Sequence, residues 1–172
     1  MRVCLFLCVL LSVSGFASTQ TLPRAYRGLS LGMDLDSLTA TLSEDAMFVF
    51  RERDVSFLPL REETLVESSG TSFIRRAYFQ LREGTVFIMS FSLNTQLVDH
   101  FSVFSSFVEK YGGPASLDPG EAVWESAETR ISIERPLTVK YVDKTIFDAI
   151  LGEESARGTE KTRLYEEFLD DF

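Results

Sequence analysis

The longest uninterrupted strand-like pattern in the chain, residues 72–93 (SFIRRAYFQLREGTVFIMSFSL), limits what the rest of the fold can be. Side chains at alternate positions of a strand point to the same face of the sheet. One set of alternate positions is apolar except at Arg75: Phe73, Ala77, Phe79, Leu81, Phe87, Met89, Phe91 and Leu93. The stretch therefore predicts a long β-hairpin with one aromatic face that another element must cover.

The same alternation predicts the hairpin turn. A three-residue loop, Arg82–Gly84, pairs Leu81 with Thr85 and keeps the apolar residues of both strands on one face. A two-residue loop would put the two apolar rows on opposite faces. Gly84 would take the left-handed conformation that a three-residue loop requires.

Three segments have the apolar spacing and the capping residues of amphipathic helices: Leu35 to about Glu44 behind Asp34, Asn94 or Thr95 to Tyr111 before Gly112, and the residues after Asp143 up to Gly152. Asp and Asn are favourable N-caps, and glycine often follows the last helical turn. The second helix carries a stripe of Phe101, Phe104 and Phe107. This stripe matches the apolar face of the hairpin, so we expect this helix to be its cover.

Shorter strand patterns lie on both sides of the hairpin: 46–50, 55–60, 64–67, 122–125, 129–134 and 137–142. The run from Ser68 to Thr71 is expected to break the chain before the hairpin. Neighbouring strands joined by short turns indicate antiparallel pairing, so the predicted class is α+β. We expect one domain over residues 18–151. The order helix, strands, helix, strands, helix suggests two similar halves.

The amino terminus has the layout of a secretory signal peptide. Arg2 precedes an apolar run from Val3 to Val13, and small residues follow up to Ala17. The run is too short to span a bilayer. We expect cleavage after Ala17, with Gly15 as the alternative site, and a periplasmic or secreted protein.

Composition argues against several kinds of chemistry. The only cysteines, Cys4 and Cys8, lie in the predicted signal peptide, and the formal net charge is −9, which opposes nucleic-acid binding. The single histidine, His100, follows Asp99, and no GxSxG nucleophile motif occurs. The spacing of acidic residues does not match a calcium loop. The sequence therefore predicts a protein that is not an enzyme, without a metal or cofactor.

Arg75 and Arg76 place two adjacent guanidinium groups on opposite faces of the predicted hairpin. Arg75 falls on the mainly apolar face, where an unpaired charge would be costly. It must therefore reach an edge, pair with a carboxylate or contact a ligand. A structural ion pair is one interpretation, and an anion-binding site is the other.

The carboxyl-terminal residues 152–172 differ in character from the rest of the chain. GEESARGTEKTR is charged and lacks periodicity, as solvated chain does. LYEEFLDDF then spaces Leu164, Phe168 and Phe172 four residues apart, as on one side of a helix. This segment could dock into the groove of a partner, or it could be a frayed tail or a helix on its own domain.

Two resemblances accompany these patterns. GLSLGMDLDSL at 28–38, YGGP at 111–114 and the strand around Trp124 are similar to segments of the BamE-like (SmpA/OmlA) family of small outer-membrane assembly accessory domains. This chain lacks that family's lipidation cysteine after the leader. The whole chain resembles exported, uncharacterised proteins of treponemal spirochaetes, which carry GLSLGM near the start and YGxP, VWE and PLTVKY near the end.

These observations favour an exported binding or interaction module that acts on an envelope protein or another macromolecule. The surfaces expected to carry this function are Arg75 and Arg76 on the hairpin and Leu164, Phe168 and Phe172 in the tail. The alternative is a protein that binds a small ligand, a lipid or an anion, in a pocket between the hairpin and the second helix.

Overall fold

The structure is a computed structural model that describes residues 21–51, 54–58 and 63–170. The predicted signal peptide and its cleavage site at Ala17 lie outside these ranges. The strands are β1 (Ala25–Tyr26), β2 (Leu29–Ser30), β3 (Phe48–Val49), β4 (Val55–Leu58), β5 (Glu63–Gly70), β6 (Ile74–Arg82), β7 (Thr85–Leu93), β8 (Ser116–Leu117), β9 (Glu121–Glu125), β10 (Thr129–Glu134) and β11 (Thr138–Asp143). The helices are α1 (Leu35–Glu44), α2 (His100–Tyr111) and α3 (Lys144–Asp170).

Strands β3 to β11 form one antiparallel sheet of 9 strands, in the order β3-β5-β6-β7-β11-β10-β9-β8. Strand β4 pairs with β5 alongside β3, and β1 and β2 form a separate ribbon. The predicted α+β class with antiparallel pairing is confirmed. Each half of the sheet follows one helix, strands β5 to β7 and β8 to β11 run as meanders, and the halves meet where β7 pairs with β11.

The hairpin of β6 and β7 forms, but the predicted three-residue loop is wrong. Leu81 pairs with Val86, so the turn consists of Glu83 and Gly84, whose φ angles are 50° and 77°. This is the two-residue turn whose twist suits a hairpin. The apolar faces still match because the register shifts between Gln80 and Leu81, which leaves Phe87 as the extra residue of a β-bulge.

The bulge divides the apolar residues of β7 between two cores. Phe79 pairs with Met89 in the main core. Phe87 and its neighbour Ile88 instead pack with side chains from β11 and α3 on the other face. A strict two-residue period cannot describe such a strand, since one inserted residue shifts every later position to the other face.

The main core lies on the face of the sheet that α1 and α2 cover. Helix α1 begins as predicted: Asp34 accepts a hydrogen bond from the backbone N–H of Ser37 at 2.8 Å. It buries Leu38 and Leu42 completely. The segment before α1 is fixed to the hairpin by two backbone hydrogen bonds, from Gly32 to Val86 and from Val86 to Met33.

Helix α2 starts later than predicted. Its N-cap is Asp99, and Asn94 instead closes a turn by accepting hydrogen bonds from the backbone N–H groups of residues 97 and 98. Phe104 and Phe107 pack against Trp124, with ring centroids 5.9 and 5.4 Å apart. The predicted stripe is therefore correct for these two residues and wrong for Phe101, whose surface is 76% exposed.

Helix α3 passes through the predicted stop at Gly152 and continues to Asp170. Its start agrees with the prediction, because the carboxylate of Asp143 accepts a hydrogen bond from the N–H of Ile146 at 3.2 Å. Arg24 holds the same carboxylate at 2.5 Å. A glycine inside a helix costs about 1 kcal/mol relative to alanine, which is too little to end a helix by itself.

Strand β5 also extends further than predicted, because it continues through Ser68 and Ser69 to Gly70. The expected break falls only in the turn that follows. Gly70 tolerates no side chain, since a Cβ there would lie 2.2 Å from the backbone oxygen of Ile74. The turn between β5 and β6 therefore depends on glycine for close backbone approach.

We predict that Gly70→Ala destabilises the protein by about 3 kcal/mol, because the added methyl group must push two backbone segments apart. Gly113→Ala is the matched control, since nothing lies within 4 Å of its Cβ position, and its effect should stay within about 0.5 kcal/mol. Urea unfolding followed by circular dichroism measures both. Equal stability of the two variants would show that the turn does not need the close approach.

Candidate functional site

Arg75 occupies a second β-bulge, near the start of β6. Ile74 pairs with Leu93 and Arg76 pairs with Ser92, so Arg75 is the extra residue between them. The bulge resolves the conflict that the sequence predicted, because it lets Ile74 enter the core while Arg75 stays exposed. Among the described residues, none forms an ion pair with Arg75. The structural ion pair predicted for Arg75 is therefore not present in this part of the chain.

Arg76 does form an ion pair, with Glu67 of β5. The two residues are diagonal neighbours on one face of the sheet, because Glu67 pairs with Tyr78, two positions after Arg76. The Arg76 side chain remains 53% exposed. A pair this exposed contributes little to stability. The two arginines thus differ, since only Arg75 keeps a guanidinium without an acidic partner among the described residues.

The tail residues belong to the distal part of α3. The first turns of this helix enter a core through Ile146, Phe147 and Ile150, which pack near Phe87 and Val142. Residues 151–159 are all exposed. Leu164 and Phe168 lie further along the same helix, one turn apart, and Phe172 lies outside the described residues.

A groove lies beside α3 on the sheet face opposite α1 and α2. Its volume is about 250 Å³, and its lining combines charged and apolar side chains: Ile88, Glu121, Arg130, Ser132, Glu134, Lys140, Val142 and Phe147. Each cation in it is already paired. Arg130 lies 3.0 Å from Glu121, and Lys140 lies 2.9 Å from Glu134. The groove therefore presents satisfied ion pairs and no free charge for a reaction.

Glu134 is the carboxylate most affected by this setting. Burial alone would raise its pKa, but hydrogen bonds from Lys140 at 2.9 Å and Ser132 at 2.8 Å outweigh burial and lower the pKa below its usual range. Hydrogen bonds to the charged form favour that form. Glu134 is thus held ionised, which suits a structural anion and not a general acid.

His100 lies at the start of α2, next to the residue that caps this helix. It is the first residue of α2, and the carboxylate of neighbouring Asp99 accepts hydrogen bonds from the hydroxyl and the backbone N–H of Ser102, at 2.6 and 2.9 Å. These two hydrogen bonds lower the pKa of Asp99, and the bond from the hydroxyl has the larger effect. An acid that caps the helix in this way is not available to orient an imidazole.

A second cavity, of about 350 Å³, lies between α1 and β4 and is lined by Asp36, Thr39, Ala40, Ser43, Phe50 and Val55. Neither cavity includes a residue of α2. The pocket expected between the hairpin and the second helix corresponds to neither of them.

The described residues hold no cluster of three or more His, Cys, Asp or Glu side chains that could bind a metal ion. In the same part of the chain, no helix has both the length and the apolar character needed to cross a bilayer.

Comparison with protein-family models gives a match over most of the described chain. A family model described as the TP0088 domain matches residues 24–153. The chain belongs to the TP0088 domain family. The match begins at Arg24, which holds Asp143, and ends at Glu153, whose carboxylate lies 2.6 Å from Arg82. The matched TP0088 domain therefore includes the ion pair at the start of α3 and the ion pair of Glu153 with Arg82.

The other comparisons add no relative. Neither the search of curated proteins nor the search of solved structures found a match to this TP0088 domain protein. The predicted resemblance to treponemal proteins fits the family found. The comparisons do not show the predicted resemblance to BamE-like domains.

Sequence reasoning did not single out the groove residues of the TP0088 domain. The sequence signal for the groove was the pattern of β10, in which the polar residues Arg130, Ser132 and Glu134 alternate with isoleucines. Such alternation is also what any half-solvated strand shows. Only the pairing of Ser132 on β10 with Lys140 on β11 places Lys140 beside Arg130, Ser132 and Glu134.

We predict a pH-dependent contribution of Glu134 to stability. The pKa of Glu134 is lowered on folding. The contribution of Glu134 to stability is therefore complete above the pKa of the unfolded state, near 4.3, and it is lost as the pH falls through the lower pKa of the folded state. Glu134→Gln should therefore destabilise the protein by about 1 kcal/mol at pH 7. The difference from the parent should vanish in acid. Glu154→Gln, at an exposed position of α3, controls for loss of charge. A difference at pH 7 that persists unchanged to pH 2 would contradict this account.

Proposed function

We propose that this protein is an exported, non-catalytic interaction module that binds an envelope protein or another macromolecule through the distal part of α3. The supporting observation is the exposure of residues 151–159 in a helix that continues to Asp170. We call residues 154–170 the α3 extension. At 1.5 Å per residue it is about 25 Å long.

The energetics of the α3 extension favour a partner. A helix without tertiary contacts is marginal in water at this length, and Gly152 and Gly158 each reduce helix stability further. An apolar stripe with the spacing of Leu164 and Phe168 gains stability when a groove covers it. Docking would therefore supply the free energy that the extension lacks.

The remaining support comes from the sequence. Residues 1–17 have the pattern of a signal peptide, and the chain beyond Val13 has no cysteine and one histidine. These features favour binding over covalent catalysis. The exposed guanidinium of Arg75 would be a second contact for an acidic partner.

We predict that deleting residues 154–172 leaves the denaturation midpoint within about 2 °C of the parent, because residues 154–159 make no buried contact. Glu153 is kept so that its ion pair with Arg82 survives. Thermal unfolding followed by circular dichroism measures the midpoint.

The binding role is tested by a photoreactive residue at position 164 in the source organism. We expect cross-linked adducts at 164 and much lower yields with the same residue at the exposed position Arg157. Equal yields at both positions, or none at 164, would overturn the proposed role of the extension.

A further inference from the structure

An exposed apolar surface lies at the end of the hairpin away from its turn. Phe73 is 53% exposed, Leu97 is 53% exposed and Phe101 is 76% exposed. Backbone hydrogen bonds hold their segments together: the N–H of Asn94 donates to Phe73 at 2.8 Å, and the N–H of Leu97 donates to Asn94 at 2.9 Å. We call Phe73, Leu97 and Phe101 the apolar end. Exposed aromatic residues grouped in this way often mark an interaction site.

The cation Arg75 lies near the apolar end in the sequence, and the carboxylate of Asp99, between Leu97 and Phe101, is engaged in capping α2. Arg75 follows Phe73 by two residues and is exposed in its bulge, and no described residue forms an ion pair with it. Arg76 is next in sequence but is already paired with Glu67. An occupant that combines apolar residues with carboxylates would therefore bury the aromatic rings and neutralise Arg75.

Residues 164–172 of this chain have that chemistry. LYEEFLDDF contains the carboxylates Glu166, Glu167, Asp170 and Asp171 and no cation. Its apolar residues recur at helical spacing: Leu164, Tyr165, Phe168, Leu169 and Phe172. The charge and the apolar content of this segment complement those of the apolar end.

The segment cannot reach the apolar end of its own chain along α3. Helix α3 starts at the turn end of the hairpin, where Val142 pairs with Ile88 and Glu153 pairs with Arg82. The apolar end lies at the opposite end of β6, a strand of 9 residues, about 30 Å away. Residues 151–159 are exposed, so this part of α3 does not pack back along the sheet.

We propose that the apolar end of one copy binds residues 164–172 of a second copy, in a head-to-tail arrangement. The proposal rests on the proposed function and names its partner as a second copy of this chain. The two contacting surfaces differ, so the interface is heterologous. Repeated contacts of this kind give a closed ring or an open filament.

Engineered disulfides test the contact directly, because the natural cysteines Cys4 and Cys8 can both be replaced by serine. Two differently tagged full-length preparations are mixed, one carrying Leu97→Cys and the other Asp170→Cys. We expect a disulfide-linked heterodimer. Ala127→Cys replaces Leu97→Cys in the control, since Ala127 is exposed in the turn between β9 and β10, away from the apolar end. Equal cross-linking of the control, or none in either mixture, would overturn the proposal.

Charge exchange tests the role of Arg75. We expect Arg75→Glu to weaken self-association about tenfold in analytical ultracentrifugation, and Asp170→Arg with Asp171→Arg to do the same. A tenfold loss of affinity corresponds to about 1.4 kcal/mol. The variant with all three changes should bind within about threefold of the parent, because its exchanged charges again attract each other. Phe101→Asp should also weaken association while circular dichroism stays unchanged. Further weakening in the combined variant would overturn the pairing.

The outcomes separate the two proposals. A purified protein that stays monomeric at every concentration, while position 164 still cross-links to a different protein in cells, overturns the second-copy proposal and leaves the interaction module standing. Absence of adducts at 164 together with a monomeric protein overturns both.

Discussion

The pairing of β7 with β11 is the interaction on which the rest of the structure depends. It joins the two meanders into one sheet, and Phe91 of β7 packs across the joint. The Phe91 ring lies 5.9 Å from Phe79 in one half and 6.1 Å from Tyr141 in the other, measured between ring centroids. Tyr26 and Phe48 contact it from the segments before and after α1. Aromatic contacts of this kind add to the free energy of burial.

Two bulges in the hairpin decide which side chains the protein presents to solvent. The bulge at Phe87 places apolar side chains on the second face of the sheet, where the start of α3 packs against them. The bulge at Arg75 brings a guanidinium to the surface. Among residues 144–159 of α3, Ile150 is the last one that packs in this second core, and Glu153 is paired with Arg82. The domain therefore supports the start of a long helix, and residues 151–159 of that helix are exposed.

The sequence predicted the class, the hairpin and the limits of α1 because capping residues and apolar spacing act locally. It did not predict the turn at Glu83, since a bulge restores the pairing of faces and leaves no local signal. The prediction ended α3 at Gly152, because the residues after Gly152 lack apolar periodicity until Leu164. The groove around Glu134 was missed for a related reason, since it depends on which strands pair across the sheet.

The central claim is that α3 beyond Glu153 is a docking element and not a part of the domain's core. Amide hydrogen exchange on dilute, monomeric protein tests this claim most directly. The account predicts that amides of residues 154–170 exchange at least about tenfold faster than those of β7 and β11, and that they become protected when a partner binds. Protection of residues 154–170 equal to that of β7 in the dilute monomer would contradict the account.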